Sequence, residues 1–283
     1  METLIKLPKL PGRRIIFIMS RIAPIIAVTG TSLIVGCDNG YYGSCGSYGS
    51  CGCYGSYGSY AACPGPYIYH AGMYAGSLRE SPASQGQTVI SIIAENGDGR
   101  MSGGNDTYYR LKVDTAHGNL SGTFTGYSQS GSLPNGTQVI AGSIAGVATP
   151  ANLDATLSGS GNTQSLALTF ENTHHSGSSL TTLAGNWTST SNDMTLTATI
   201  QPDGSFIGLD SNNCTYAGAF SLIDAKFNVY AETHVRTCGG VNVTFAGLAA
   251  FVPGTGTGVT GTPTQIKLLA DNNAGEYVVA ALQ

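Results

Sequence analysis

Apolar and polar residues alternate with a period of two through Thr88-Val89-Ile90-Ser91-Ile92-Ile93, Tyr108-Tyr109-Arg110-Leu111-Lys112-Val113 and Met194-Thr195-Leu196-Thr197-Ala198-Thr199-Ile200. Successive side chains of a strand point to opposite faces, so this period, together with the β-branched content, predicts strands. Between such runs fall Asn96-Gly97-Asp98-Gly99, Pro134-Asn135-Gly136, Pro202-Asp203-Gly204 and Asn272-Asn273-Ala274-Gly275. These are hairpin turns, where Asp and Asn tolerate the left-handed conformation and Gly adopts it freely. No stretch carries the 3.6-residue stripe of an amphipathic helix.

The pattern runs twice. Gly72-Met73-Tyr74-Ala75-Gly76 pairs with Gly185-Asn186-Trp187-Thr188, Asp98-Gly99-Arg100-Met101-Ser102-Gly103 with Asp203-Gly204-Ser205-Phe206-Ile207-Gly208, and Gly161-Asn162-Thr163-Gln164 with Gly261-Thr262-Pro263-Thr264-Gln265. The offsets of 113, 105 and 100 drift as loop insertions between duplicated domains would make them. Each half holds roughly eight short strands, enough to close an up-and-down barrel without exposed edges. The expected fold is therefore all-β, an antiparallel meander forming two tandem small β-barrels, with one larger β-sandwich as the alternative. The first β domain is expected at 67–175 and the second at 176–283, joined near His174-His175-Ser176-Gly177-Ser178-Ser179.

Ahead of the strands the pattern changes. Lys6, Lys9, Arg13, Arg14 and Arg21 precede an apolar stretch from Ile22 that ends in Leu33-Ile34-Val35-Gly36-Cys37. A basic region, an apolar core and small residues at the end form the layout of a secretory signal. Read instead as a membrane span, Ile15 to Gly36 has the length, but Arg21 and Pro24 lie within it, and a central Arg costs roughly 2.5–3.5 kcal/mol on insertion scales. Translation from Met19 rather than Met1 would leave Met19-Ser20-Arg21 as a short basic leader. From Asp38 to Pro66 the chain is nearly all Gly, Ser, Tyr and Cys, with Gly46-Ser47-Tyr48-Gly49 recurring as Gly55-Ser56-Tyr57-Gly58, which reads as a flexible tether.

Ile34-Val35-Gly36-Cys37 resembles the bacterial lipobox. The resemblance implies that the Cys37 thiol receives a diacylglycerol, that the bond before it is cut, and that the chain is a lipid-anchored cell-envelope lipoprotein with 1–37 as its signal. Asp38 then occupies the position that in enteric-type lipoproteins retains the protein at the inner membrane. That implies the periplasmic face of the inner membrane, with the outer membrane as the alternative. The glycine-punctuated strands of Gly72–Gln283 resemble the small barrels of lipocalin-like lipoproteins and of the transferrin-binding protein B barrel domains. This likeness lies in pattern, rests on no diagnostic motif and transfers no binding residue.

Charge removes one class of partner. Five of the twelve bases and one of the sixteen acids precede Cys37, so the remaining chain carries a net −8. No basic stripe exists to neutralise phosphates, and nucleic acid is excluded as a partner. Glycine, at 40 of 283 residues, is about twice its usual ~7 % share, in keeping with many turns.

With Cys37 acylated, Cys45, Cys51, Cys53, Cys63, Cys214 and Cys238 form an even set, as suits an oxidising compartment. Cys214 and Cys238 flank two strands, read at Cys214–Phe220 and Phe227–Val235, whose hairpin brings them together as a disulfide. The other four have a one-residue gap at Cys51-Gly52-Cys53 that zinc sites rarely use, and local disulfides are the expectation there.

The catalytic motifs are missing: no Gly-x-Ser-x-Gly elbow, His-Glu-x-x-His helix or Walker loop is present. His174-His175 reads as exposed linker, and Asp98-Gly99, Asp203-Gly204 and Asp210-Ser211-Asn212-Asn213 complete no calcium loop. Trp187 reads as core of the second barrel rather than as a ligand platform. No catalytic residue, metal or cofactor is expected. The function expected is a structural or protein-binding role, with the membrane and an envelope protein as partners. The alternative is a small ligand held inside a barrel.

Overall fold

The computed structural model describes residues 71–283, apart from 81–83, 105, 116–117, 132, 172–176, 192–193 and 255–263. Cys37, Asp38, the tether cysteines and four of the five histidines lie outside the described residues. The first sheet comprises β1 (Gly72–Arg79), β2 (Gln87–Ile93), β3 (Asp98–Gly103), β4 (Thr107–Asp114), β5 (Asn119–Ser128), β6 (Val139–Ala148), β7 (Asn152–Gly159) and β8 (Asn162–Phe170). Each strand pairs antiparallel with the next, and β1 pairs with β8 from Tyr74↔Phe170 to Arg79↔Ser165, so the sheet is a closed barrel.

A second meander follows: β9 (Gly185–Ser191), β10 (Met194–Ile200), β11 (Ser205–Asp210), β12 (Thr215–Leu222), β13 (Tyr230–Cys238), β14 (Val241–Val252), β15 (Gln265–Asp271) and β16 (Tyr277–Leu282). Its two ends meet through reciprocal backbone bonds between Thr188 and Gln283, of 2.9 and 2.8 Å, so this barrel is nearly closed with a short seam. A single helical turn, Leu180–Leu183, buries Leu183 in the second core. The all-β expectation of two barrels holds, and the single sandwich does not form.

The duplication is visible in the second hairpin-forming turn of each barrel. Gly97 donates to Ala94 O and Ala94 to Asp98 O; Gly204 donates to Gln201 O and Gln201 to Ser205 O. Asn96 Oδ1 and Asp203 Oδ1 accept from the amides of Asp98 and Ser205, and Gly97 and Gly204 share a left-handed φ of 81° and 86°. The matching position to Gly204 is therefore Gly97, not Gly99, a shift of two residues that only the turn conformation reveals. The third expected match is also corrected, because Gly161 precedes the eighth strand of its barrel whereas 261–265 leads into the seventh.

Both barrels are packed with side chains. The first core gathers Tyr74, Leu78, Val89, Met101, Tyr109, Phe124, Ile144, Leu153, Leu157 and Leu168, among others. The second gathers Leu183, Leu196, Ile200, Phe220, Tyr230, Phe245, Ile266, Leu268 and Val278. Trp187 packs half-buried on the rim of that core, edge-on to Phe251, with Nε1 donating 2.7 Å to Leu183 O.

A third apolar cluster lies between the barrels. Met73, Ile92, Tyr108 and Tyr127 of the first meet Leu248, Ala250, Leu269 and Tyr277 of the second, with Tyr108 and Tyr277 stacked at 5.0 Å. Asp271, 2 % exposed, accepts from Tyr108 Oη at 3.1 Å and lies 3.2 Å from Arg100 Nε and 3.9 Å from Arg110 Nη1. The barrels are thus side by side in one compact unit, tied by a buried carboxylate and an aromatic stack.

Candidate functional site

Strand β13 presents Tyr230, Glu232, His234 and Arg236 to the interior of the second barrel, since alternate residues share a face. Glu232 is 1 % and His234 3 % exposed. Room for them comes from the neighbouring strands, where Gly247 lies opposite Glu232 and Gly218 opposite His234. A Cβ at Gly218 would stand 2.2 Å from the Thr233 carbonyl oxygen, and one at Gly247 2.1 Å from that of Leu269. At both positions the backbones approach closely enough that only glycine fits.

His234 Nδ1 and Glu232 Oε1 share a hydrogen bond of 2.6 Å. The imidazole stacks on Phe245 at 4.9 Å, with Tyr216 at 5.8 Å and Phe206 at 6.3 Å. The second atoms of the pair, Glu232 Oε2 and His234 Nε2, are buried without a protein hydrogen-bond partner. Burial pushes the Glu232 carboxyl above its usual range, against the lowering effect of the bond to His234. Toward the barrel mouth, Arg236 lies over the Phe245 ring at 5.1 Å and pairs with Glu276 at 3.2 Å. Tyr216 donates 2.9 Å to Asp210, whose other oxygen accepts from the amides of Asn212 and Cys214. The row from Glu232 to Arg236 therefore runs from the apolar centre of the barrel to its polar end.

The space beside His234 is small. Leu196, Ile200, Phe206, Tyr216, Leu268 and Val278 line a cavity of about 20 Å³, the room of one water molecule. Among the described residues no three His, Cys, Asp or Glu side chains converge as a metal site. Asp203 and Asp210 bind the amides of their own turns, and Asp203 is held below the usual carboxylate range by the Ser205 hydroxyl and amide.

Of the site residues read from sequence, Cys214 and Cys238 form a disulfide with Cα atoms 4.5 Å apart, closing the β12–β13 hairpin beside Asp210. The Glu232–His234 pair was not anticipated. Its signal is inverted: Ala231, Thr233 and Val235 form the more apolar face of the strand, yet the charged face points inward. Tyr230 and the paired glycines Gly218 and Gly247 are the only hints in the sequence.

No family description matches the chain, and no curated protein matches it. Among solved structures, one described as a "putative outer membrane protein" from Bacteroides fragilis is 9 % identical and covers 75 % of this chain and 95 % of its own. Its TM-score of 0.26 carries no argument about fold or role.

Proposed function

We propose that the chain is a lipid-anchored, non-enzymatic envelope protein, held through Cys37, whose paired barrels serve as a rigid head that engages a protein partner on its outer surface. The observation that carries this reading is that both interiors are packed with side chains, with a cavity of only about 20 Å³ beside His234 in the second. A carrier barrel encloses a ligand-sized cavity, of roughly 300–1,000 Å³ for a drug-sized ligand. The cavity beside His234 is too small for such a ligand, which supports the reading over the small-ligand alternative.

The outward faces fit an aqueous setting. Asp154, Thr156 and Ser158 on β7, Ser165, Ala167 and Thr169 on β8, and Thr195 and Thr197 on β10 are exposed, opposite the buried Leu153, Leu157, Leu166, Leu168 and Leu196, while Val139, Val147, Ile207 and Leu209 are scattered apolar residues on other outward faces. A barrel that crosses a bilayer has the opposite arrangement, with an apolar outer band. Among the described residues no helix is long and apolar enough to cross a membrane. On the first barrel an open groove of about 500 Å³ runs between Arg79 and Asp154 over Ala145, Gly146 and Ala167, a surface of mixed polarity with one charge of each sign, suited to a peptide or protein segment. The Glu232–His234 pair is closed off from substrate by its burial, which favours the non-enzymatic reading.

Three measurements test the proposal. Metabolic labelling with a fatty-acid analogue should mark the wild type and not Cys37→Ala; label that persists in the variant contradicts the anchor. Native mass spectrometry after mild extraction should find the polypeptide with its lipid or with a protein partner. A small molecule retained at one per chain would contradict the filled barrels. Asp38→Ser should move the protein from the inner to the outer membrane, and a wild type found only in the outer membrane contradicts the sorting role.

A further inference from the structure

The two barrels share a register that allows position-by-position comparison. The Val113 amide donates to Gly97 O and the Phe220 amide to Gly204 O, so Val113 and Phe220 are equivalent. Tyr109 and Leu111 then match Tyr216 and Gly218. Through the strand pairings, Glu232 matches Gly122, His234 matches Phe124 and Arg236 matches Gly126. The first barrel closes and packs with Gly, Phe and Gly where the second carries Glu, His and Arg. The scaffold needs none of these charges.

A buried ionisable group left without full pairing destabilises a fold that could have used an apolar one. Here the first barrel supplies the apolar solution in the same chain. From this geometry we infer that the second barrel holds a proton-operated switch, in which the Glu232–His234 pair binds a proton in the interior of that barrel and its release loosens that barrel alone. The proposal does not depend on the lipid anchor or on the partner.

The groups facing the pair set the direction. Phe220 and Gly218 of β12, and Gly247 and Phe245 of β14, lie directly across from it and carry no charge. Tyr216 is adjacent, but its hydroxyl is bound to Asp210, whose charge lies beyond it. Arg236, on the same face, is bound to Glu276. Asp271 on β15 is turned to the other barrel, where it meets Arg100 and Tyr108. Loss of the proton therefore leaves a buried carboxylate whose only direct partner is the imidazole beside it, with the nearest cation already paired. A carboxyl raised by burial keeps its proton in the folded barrel after the unfolded chain has released it. Because the unfolded chain keeps one proton on His234 up to the ordinary histidine value of about 6.5, the stabilisation is fully present below that pH and is lost as pH rises from it through the folded value of the pair.

The test uses urea unfolding of the whole chain between about pH 6.5 and 9, above the range in which an unfolded histidine holds its proton, followed by the fluorescence of Trp187, the sole tryptophan and a member of the second barrel. In wild type the unfolding equilibrium constant should increase with pH, approaching about tenfold per pH unit, the limit for one proton. In Glu232→Gln this slope should disappear while the hydrogen bond to His234 survives. An unchanged slope in Glu232→Gln, or a flat wild type, overturns the switch. Should that variant fail to fold, infrared spectroscopy of wild type decides. A carboxylic C=O stretch that persists well above the ordinary Glu value of about 4.3 supports the switch, and loss of every such band near that value overturns it.

Discussion

Strands β5 and β13 occupy the same place in their barrels, yet their inward faces read Leu120, Gly122, Phe124, Gly126 in one and Tyr230, Glu232, His234, Arg236 in the other. Across the molecule the same division holds. Among the described residues the buried Asp, Glu and His side chains are Asp210, Glu232, His234 and Asp271, all in the second sheet, whereas the buried polar residues of the first are Ser91, Ser102, Thr107, Ser128 and Gln164. Its buried phenols Tyr74 and Tyr109 are pushed up by burial, Tyr109 to about 12, and so are neutral in any ordinary medium. Two antiparallel eight-stranded barrels of one strand order, the first closed and the second nearly so, therefore tolerate either a neutral interior or an ionisable one. What decides is the alternation of large side chains with glycine, as Phe124 has Gly142 beside it and His234 has Gly218. Closure is a property of shape, and the charge inside the second barrel is added to it.

The largest effect that would break this comparison lies at the joint. Asp271→Ala leaves Arg100 buried without its carboxylate, and breaking a buried pair typically costs about 3–5 kcal/mol. Calorimetry should then resolve two transitions, with the first barrel retaining the higher one; a single transition at the wild-type temperature would show that the barrels do not depend on this contact. Next comes the disulfide, present only in the second barrel among the described residues. Closing a loop of 24 residues contributes roughly 3 kcal/mol in the chain-entropy account, so Cys214→Ser and Cys238→Ser should each lower the melting temperature read by Trp187. The double variant should be no worse than either single one, and additive losses would mean that the two thiols act separately. A smaller effect sharpens the difference in interiors: His234→Phe, which copies the first barrel, should fold and should change neutral-pH stability by less than the disulfide does. Failure of His234→Phe to fold, judged by circular dichroism, would show that the interiors are not interchangeable.

Legibility in the sequence followed the physics of each element. Strands with one wet face, such as Met194–Ile200, alternate cleanly, and the Asn-Gly and Asp-Gly turns mark their ends. The pairing of Cys214 with Cys238 was readable because a hairpin brings its flanks together whatever lies inside it. The interface was written less plainly. Tyr108 and Tyr109 are both buried because one faces the second barrel and the other its own core, and β15 and β16 read as near-continuous apolar runs for the same reason. Such runs signal a strand covered on both faces, a pattern usually associated with parallel sheets. The Glu232–His234 pair was hidden by an assumption that fails here, that the more apolar face of a strand points inward. Only the backbone register, which sets Gly218 and Gly247 against the charged residues, turns that face around.

The central claim is that one scaffold carries two interiors and that only the second responds to protons. Amide hydrogen exchange, corrected for the intrinsic pH dependence of exchange, tests it strand by strand in the intact chain. Between about pH 6.5 and 9 the protection of β13 should fall while that of β5 stays constant, because of the two strands only β13 carries a buried carboxyl that gives up its proton as pH rises. Equal changes in the two strands, or none in β13, would contradict the claim.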